Sequence, residues 1–145
     1  MRGTIGRYAL LDTGFWIGLF DPTDSHHAAA RKLYEEQLER MHAVAPWPCL
    51  YEFMQTKFVK RQAQVASLRA ALGQPGVHHV DDNPYRALAL SQCLQDQRRP
   101  MSLVDRVLRA IIDDPDVRVD VVVTVDAKDF HDVCTRRRIE LLELR

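Results

Sequence analysis

The sequence predicts an α/β protein of three layers, in which helices cover both faces of a central, mostly parallel sheet of four or five strands. Three observations indicate this fold class. Short apolar runs alternate with longer helical segments, which is the order of β/α units. The run from Val119 to Val125 is β-branched and almost wholly apolar, as expected of a strand covered on both faces. Acidic residues follow two of the apolar runs, at the strand ends where such folds bind ligands.

The first half of the chain contains two predicted strands and three predicted helices. Strands are assigned to apolar runs, and helices to segments that open with a capping residue or with proline in the first turn. In order, these are a strand over residues 7–11, a helix over 15–20, a long charged helix capped by Ser25, a strand over 41–45, and a helix that begins near Pro46 and Pro48 and carries Glu52.

The second half begins after Gly73-Gln74-Pro75-Gly76, a strong turn signal. In order, it contains a strand over residues 77–80, a helix opened by Asn83-Pro84, a helix opened by Ser102 and ended near Asp114-Pro115, a strand over 119–125, and an edge strand over 139–144. Because no internal repeat, low-complexity segment or linker interrupts this order, we expect a single domain over residues 1–145.

Composition and charge narrow the classes of function. The 20 lysines and arginines balance the 20 aspartates and glutamates, so any contact with nucleic acid must be a local patch. The cysteines, Cys49, Cys93 and Cys134, form no C-x-x-C pair, which favours reduced thiols and a cytoplasmic location. The apolar segment over residues 8–20 is interrupted by Asp12 and is too short to span a bilayer, so no membrane association is expected.

Four acidic residues are candidates for a metal site: Asp12, Glu52, Asp105 and Asp126. Asp12 and Asp126 follow predicted strands, and hard divalent cations prefer the oxygen ligands that carboxylates supply at this edge of a parallel sheet. Each acid also has a simpler interpretation. Asp12 could cap a helix, Asp126 could form a turn, Asp105 could pair with Ser102 in an S-x-x-D cap, and Glu52 could be solvated, since it lies opposite the apolar side of its helix.

Taken together and in order, several stretches of the sequence resemble a PIN domain of the kind found in VapC-type toxins. These stretches are Leu10-Leu11-Asp12-Thr13-Gly14, Asp24-Ser25-His26-His27, Glu52 early in a helix, Ser102-Leu103-Val104-Asp105, and Thr124-Val125-Asp126-Ala127-Lys128-Asp129-Phe130. They cover nearly the whole chain. The resemblance implies a PIN-like fold and RNA cleavage.

The resemblance also implies roles for individual residues and partners. The acidic quartet that holds Mg²⁺ or Mn²⁺ would be Asp12, Glu52, Asp105 and Asp126, with Thr13 and Ser102 as orienting hydroxyls and Asp129 as a helper. The protein would be an endoribonuclease, the toxin of a type II toxin-antitoxin pair, held inactive by its antitoxin and commonly a homodimer. The expected reaction is hydrolysis of an RNA phosphodiester bond by an in-line, metal-activated water.

Two other classes of function remain open at this point. A non-catalytic PIN-like module would bind RNA or a protein through the same groove. A receiver-like phosphoacceptor domain also gathers acids at strand ends, but it needs adjacent early acids and an accepting aspartate at mid-chain, and neither is evident. Neither G-x-G-x-x-G nor a P-loop lysine occurs, so no nucleotide cofactor is expected.

Basic and aromatic residues are weaker candidates for RNA contacts. The basic clusters are Lys57-Lys60-Arg61, Arg98-Arg99 and Arg136-Arg137-Arg138. They could contact phosphates, although most such runs are solvated faces. Trp16 and Trp47 could stack on bases, but packing in the core or at a dimer interface is the more common use of such residues.

Overall fold

Five parallel strands form one sheet. The computed structural model describes residues 6–55, 57–96 and 98–145, and only the backbone of residues 57 and 58. The strands are β1 (Tyr8–Leu11), β2 (His42–Pro46), β3 (Val77–Val80), β4 (Val121–Thr124) and β5 (Glu140–Glu143), in the spatial order β3-β2-β1-β4-β5. The predicted α/β class with a central parallel sheet is therefore confirmed, and β1 lies at its centre.

The strand register brings the carboxyl ends of the strands to one edge of the sheet. Ala9 of β1 is in register with Ala43 of β2 on one side and with Val121 of β4 on the other. Because the strands are parallel, the residues that follow them gather at the same edge. Asp12 comes directly after β1 and Asp126 comes two residues after β4, so both lie at this edge.

Helices connect the strands and cover the sheet. They are α1 (Thr13–Phe20), α2 (His27–Leu33), α3 (Trp47–Met54), α4 (Gln62–Leu72), α5 (Arg86–Gln95), α6 (Leu103–Asp113) and α7 (His131–Arg137). A π-helix over Tyr34–Leu38 continues α2, and short 3-10 turns occupy Lys57–Lys60, Asn83–Tyr85 and Ala127–Asp129. The sequence pattern did not separate α4 from α3.

The start of α2 differs from the prediction. Ser25 is not its N-cap, because the helix begins one residue later and His26 occupies that position without a side-chain cap bond. The carboxylate of Asp24 instead accepts a hydrogen bond from the His26 amide at 3.0 Å, forming a local turn. The predicted capping group was therefore wrong by one residue, while the helix itself is present.

Two apolar clusters lie on opposite faces of the sheet. On one face, Ala9 and Leu11 of β1 pack with Phe15 and Trp16 of α1 and with Leu68 of α4. On the other face, β1 contributes Leu10. It packs with Val122 of β4 and with buried residues of α6 and α7, namely Val107, Leu108, Ile111, Ile112, Val133 and Cys134. Successive side chains of β1 thus point to opposite faces of the sheet and pack in both clusters. Apolar packing on both faces is the three-layer arrangement that the sequence predicts.

Helix α6 forms as its sequence indicates. The Ser102 hydroxyl accepts a hydrogen bond from the Asp105 amide at 3.1 Å, which caps the first turn. The apolar positions Val107, Leu108, Ile111 and Ile112 are buried against the sheet. The cap fixes the first turn of α6, and with it the position of Asp105.

No helix among the described residues is both long enough and apolar enough to cross a bilayer.

All three cysteines are free thiols, and Cys49 and Cys134 are buried. Burial raises the pKa of the Cys134 thiol to about 11.

Candidate active site

The carboxylate of Asp12 is held from two sides at the end of the central strand. Its Oδ1 accepts a hydrogen bond from the Thr13 amide at 2.6 Å, and its Oδ2 accepts one from the Thr124 hydroxyl at 2.8 Å. Asp12 is the N-cap of α1, so the helix-cap interpretation of this residue holds as well. The cap and the contact with β4 together fix the direction in which this carboxylate points.

Glu52 and Asp126 lie close enough to Asp12 for their charges to affect its pKa. Burial is the largest cause that raises this pKa, and the hydrogen bonds from Thr124 and Thr13 oppose it. The charges of Glu52 and Asp126 raise it further. Residues from α3 and from the segment after β4 therefore lie within electrostatic range of the residue that follows β1.

Glu52 faces α1 rather than open solvent. The Thr13 hydroxyl donates a hydrogen bond to Glu52 Oε1 at 2.7 Å, and the residue is only partly exposed. Its helix buries the neighbouring Phe53 and exposes Tyr51 and Met54. Glu52 is therefore not the solvated glutamate that helical periodicity alone suggests, because α1 packs against that side of α3.

Asp105 reaches the same region from the first turn of α6. Burial is the largest cause that raises its pKa, the hydrogen bond with the Ser102 side chain lowers it, and the charges of Asp12 and Asp126 raise it again. Ser102 therefore contacts Asp105 directly. Asp105 takes part in the helix cap and also lies near the other acids.

Asp126 and Asp129 lie in the segment that follows β4. The Asp126 amide donates a hydrogen bond to the Thr124 hydroxyl at 3.1 Å. The pKa of Asp129 is raised, first by burial, then by a side-chain hydrogen bond with Asp126 and by the charges of Asp126 and Asp105, while Lys128 opposes the rise. Both acids thus lie near Asp105, and the charge of Asp126 also raises the pKa of Asp12.

The structure brings all four predicted acids to one edge of the sheet, together with Asp129. We call this set the acidic cluster: Asp12, Glu52, Asp105, Asp126 and Asp129. Within the described ranges, no three His, Cys, Asp or Glu side chains are compact enough to form a ready-made metal site.

Thr124 is a residue of this site that the sequence analysis missed as a participant. It is fully buried, and its hydroxyl links the Asp12 carboxylate to the Asp126 amide. Its signal in the sequence is a single hydroxyl within the otherwise aliphatic run Val121-Val122-Val123-Thr124-Val125. A polar group in a doubly covered strand needs a partner, and here the partners are residues of the acidic cluster.

Gly14 allows α1 to approach the segment that leads into Asp126. A Cβ atom at this position would lie 2.8 Å from Val125 Cγ2, which is closer than side chains pack. The glycine that follows Asp12-Thr13 is therefore required for close packing between the two segments that carry Asp12 and Asp126.

One arginine of each basic cluster is paired with a carboxylate within the protein. Arg61 forms an ion pair with Asp21, Arg99 with Asp132, and Arg136 with Asp113. The side chain of Lys57 lies outside the described residues. Of the two tryptophans, Trp16 is buried and donates its indole N–H to the Leu11 carbonyl, whereas Trp47 is 41% exposed.

Comparisons with solved structures identify the fold. The VapC20 toxin of Mycobacterium tuberculosis, described as cleaving the sarcin-ricin loop, superposes with a TM-score of 0.68 at 18% identity, over 86% of this chain and 94% of that chain. VapBC2 of Rickettsia felis bound to a promoter DNA fragment gives a TM-score of 0.58 at 12% identity, over 95% of this chain and 99% of that one. DNA-bound VapBC of Salmonella typhimurium gives 0.57 at 12% identity, over 96% and 98%.

No protein-family model matches the sequence, and no curated protein matches it. The structural likeness therefore establishes the fold, at identities of 12% to 18%. This chain has the PIN-like α/β/α fold of VapC toxins, as the resemblance of its motifs implies.

Proposed function

We propose that this chain is a metal-dependent endoribonuclease and the toxin of a type II toxin-antitoxin pair. The observation that carries the proposal is the convergence of Asp12, Glu52, Asp105 and Asp126 from four distant segments at one edge of the sheet. The fold supports it, because the similar VapC20 structure is that of a toxin described as cleaving the sarcin-ricin loop. Fold alone does not specify activity, so the proposal rests on the site.

The donor set fits Mg²⁺ or Mn²⁺. The cluster offers carboxylate oxygens, which are the ligands that hard divalent cations prefer. Burial, and then the charges of neighbouring carboxylates, raise the pKa of Asp12 and of Asp105, and the positive charge of a divalent cation would favour their ionised forms. The cation would be held by Asp12, Asp105 and Asp126 with Glu52, and Asp129 would assist.

A divalent cation, when bound there, would supply positive charge that favours ionisation of an attacking water and offsets charge on the phosphate. The residues of the chain would fix where this happens. Thr124 holds Asp12 in place, and Thr13 holds Asp12 through its amide and Glu52 through its hydroxyl. Orientation of this kind lowers the entropic barrier to reaction. Lys128 is exposed beside Asp129, where we propose that it contacts an RNA phosphate.

An antitoxin partner is part of the proposal. Two of the similar structures are VapBC complexes. A groove of about 710 Å³ runs between α1, α2, the π-helix and α4, with apolar residues such as Trp16, Leu19 and Leu38 inside and Arg31 and Gln64 among its lining. We propose that an antitoxin segment with apolar side chains binds in this groove and extends toward the acidic cluster. Co-purification with the product of a small adjacent reading frame would test this partner.

Self-association is also proposed, through an exposed apolar surface on α3 and α5. Tyr51 is 52% exposed and Leu94 is 71% exposed, and Trp47, Met54 and Leu90 are exposed as well. Tyr51 lies within electrostatic range of Arg86, at the start of α5. Exposed apolar side chains such as those of α3 and α5 are typical of a protein interface and support the proposed homodimer.

The proposal is tested by incubating purified protein with structured RNAs in the presence of Mg²⁺, with EDTA as one control. The variant Asp12→Asn should cut no RNA, because it removes a carboxylate from the cluster while keeping the size of the side chain. The matched control is Asp116→Asn, which removes an exposed carboxylate before β4, at the opposite end of the sheet.

Metal-dependent cleavage that Asp12→Asn abolishes and Asp116→Asn retains would support the endoribonuclease. RNA binding without cleavage in the wild-type protein would instead favour the non-catalytic PIN-like module. Cleavage that survives both EDTA and Asp12→Asn would show that the acidic cluster is not the active site.

A further inference from the structure

A guanidinium-carboxylate cluster lies directly beside the acidic cluster and contacts its backbone. Arg109, on α6, donates hydrogen bonds from Nη1 and Nη2 to the two carboxylate oxygens of Asp132, at 2.6 and 2.8 Å. The same Nη1 donates to the Asp129 carbonyl at 2.8 Å. The Arg109 side chain is 16% exposed and that of Asp132 is 44% exposed, so the guanidinium is more shielded from water than its partner.

Arg99 reaches the same carboxylate from the segment between α5 and α6. Its Nη1 and Nη2 donate to the Asp132 carboxylate at 3.1 and 3.2 Å, and Nη2 also donates to the Lys128 carbonyl at 3.2 Å. Asp132 therefore accepts hydrogen bonds from two arginine guanidinium groups. Each guanidinium also donates to one backbone carbonyl of the turn over Ala127–Asp129. Bidentate pairs of this kind fix geometry as well as charge.

Arg109 lies between Asp105, on its own helix, and the segment that carries Asp126 and Asp129. It follows Asp105 by four residues on α6, so the two side chains lie on one face of the helix, one turn apart. Its bond to the Asp129 carbonyl ties that helix to the segment that carries Asp126 and Asp129. Arg109 is therefore a direct polar link between the helix that carries Asp105 and the segment that follows β4.

The contacts of Arg109 indicate a positional role. Asp132 offsets one of the two guanidinium charges, and the hydrogen bonds from Arg109 and Arg99 hold the pKa of Asp132 far below its ordinary value. The arginines contact the turn through backbone carbonyls rather than through the carboxylates of Asp126 or Asp129. They therefore leave those carboxylates available to other ligands.

We propose that Arg109 is a positioning residue that, together with Arg99 and Asp132, sets the separation between Asp105 and the Asp126-Asp129 segment and thereby the affinity for a divalent cation. This inference rests on the proposed function, because it assigns the cluster a cation. The residues around a metal site that orient its ligands commonly change metal affinity by about 10-fold to 100-fold when they are lost.

The test measures the dissociation constant for Mn²⁺ by calorimetry, at a temperature where circular dichroism shows each apo protein to be folded. Arg109→Met keeps much of the side-chain stem and removes the fork, and we expect Mn²⁺ to bind about 10-fold more weakly or worse. Arg136→Met is the matched control, because Arg136 also joins α7 to α6 through an aspartate, Asp113, and both side chains are largely exposed. We expect it to bind Mn²⁺ as the wild type does.

Arg109→Lys separates position from charge. Lysine keeps the positive charge but lacks the planar fork that contacts Asp132 and the Asp129 carbonyl together. We expect it to weaken Mn²⁺ binding as well, by several-fold. Affinity equal to that of the wild type in this variant would show that charge suffices and would overturn the positional role. If Arg109→Met does not fold, Arg109→Lys and Arg99→Met decide the question in the same assay.

The result also distinguishes this inference from the proposed function. Wild-type protein that binds no Mn²⁺, or Asp12→Asn that binds it equally well, would overturn the proposed function and this inference with it. Wild-type binding that Asp12→Asn loses, combined with unchanged affinity in folded Arg109→Met, would overturn the inference alone.

Discussion

The hydroxyl of Thr124 donates a 2.8 Å hydrogen bond to the carboxylate of Asp12, joining residues 112 positions apart in the sequence. The same hydroxyl accepts a hydrogen bond from the Asp126 amide at 3.1 Å. One buried oxygen thus connects the acid that follows β1 with the acid that follows β4. The relative position of these two acids depends on a residue that carries no charge.

Replacing Thr124 with valine keeps the shape of the side chain and removes this link. Asp12 loses a donor and the Asp126 amide loses its acceptor, in a buried place where an unpaired polar group costs about 1–3 kcal/mol. We expect the free energy of unfolding of the apo protein to fall by about that amount in urea denaturation at pH 7. Thr135→Val is the control, because its hydroxyl is exposed and donates to the His131 carbonyl of its own helix. A similar loss in both variants would contradict the role of Thr124.

Asp12→Asn should stabilise the metal-free protein. The pKa of Asp12 is raised in the folded state, chiefly by burial and further by Glu52 and Asp126, so its ionised form at neutral pH opposes folding. Asparagine keeps an acceptor for the Thr13 amide and carries no charge. We expect a higher melting temperature in EDTA, by about 3 °C for each kcal/mol relieved. Mg²⁺ should raise the melting temperature of the wild type only, since stabilisation by a ligand requires its binding site. A lower melting temperature in EDTA would contradict this.

Asp132→Asn should change how stability depends on pH. Hydrogen bonds from Arg109 and then Arg99 hold the pKa of Asp132 far below its ordinary value of 3.8. Such a group contributes stability above the pKa of the unfolded chain and loses it as pH falls further, because protonation breaks the ion pairs. We expect the wild-type free energy of unfolding to drop more steeply than that of the variant between about pH 4 and pH 2. Parallel curves from urea titrations across this range would exclude Asp132 as a source of acid sensitivity.

Leu94→Glu should reduce self-association. Leu94 is 71% exposed on the side of α5 that also carries the exposed Leu90. A carboxylate buried at an interface without a partner is strongly unfavourable. We expect light scattering with size-exclusion chromatography to show a monomer for Leu94→Glu and a dimer for the wild type. Leu88→Glu is the matched control, because Leu88 is 58% exposed on the opposite side of the same helix from Leu90. Equal behaviour of the two variants would place the contact elsewhere.

Much of the fold was predictable from the sequence, because its determining signals are local. The predicted strand over 77–80 coincides with β3, and the aliphatic run that contains β4 marks a strand buried on both faces. The division between α3 and α4 was missed, since both segments have helical periodicity and no glycine or proline stands between them. The N-cap of α2 was misplaced because Ser25 and Asp24 are both good capping residues and only the backbone geometry distinguishes them.

The acids of the site were predictable from their positions relative to strands and from the resemblance, but their surroundings were not. Helical periodicity assigns Glu52 to solvent, and only the packing of α1 against α3 explains its contact with Thr13. Thr124 lies within an apolar strand, and the sequence gives no reason to expect its contact with Asp12. Arg99 and Arg109 have no sequence feature that indicates contacts with the segment around Asp129. Those contacts depend on tertiary packing between elements far apart in the chain.

The placement of β1 at the middle of the sheet has a consequence for the newborn polypeptide. Thr124 is translated 112 residues after Asp12, the residue that its hydroxyl contacts. The central strand β1 can pair with β4 only after β4 has been translated, and the carboxylates of Asp126 and Asp129 follow β4 in the chain. A fragment that ends before β4 therefore lacks the contact of Thr124 with Asp12 as well as Asp126 and Asp129, so the acidic cluster forms only after β4 has been made.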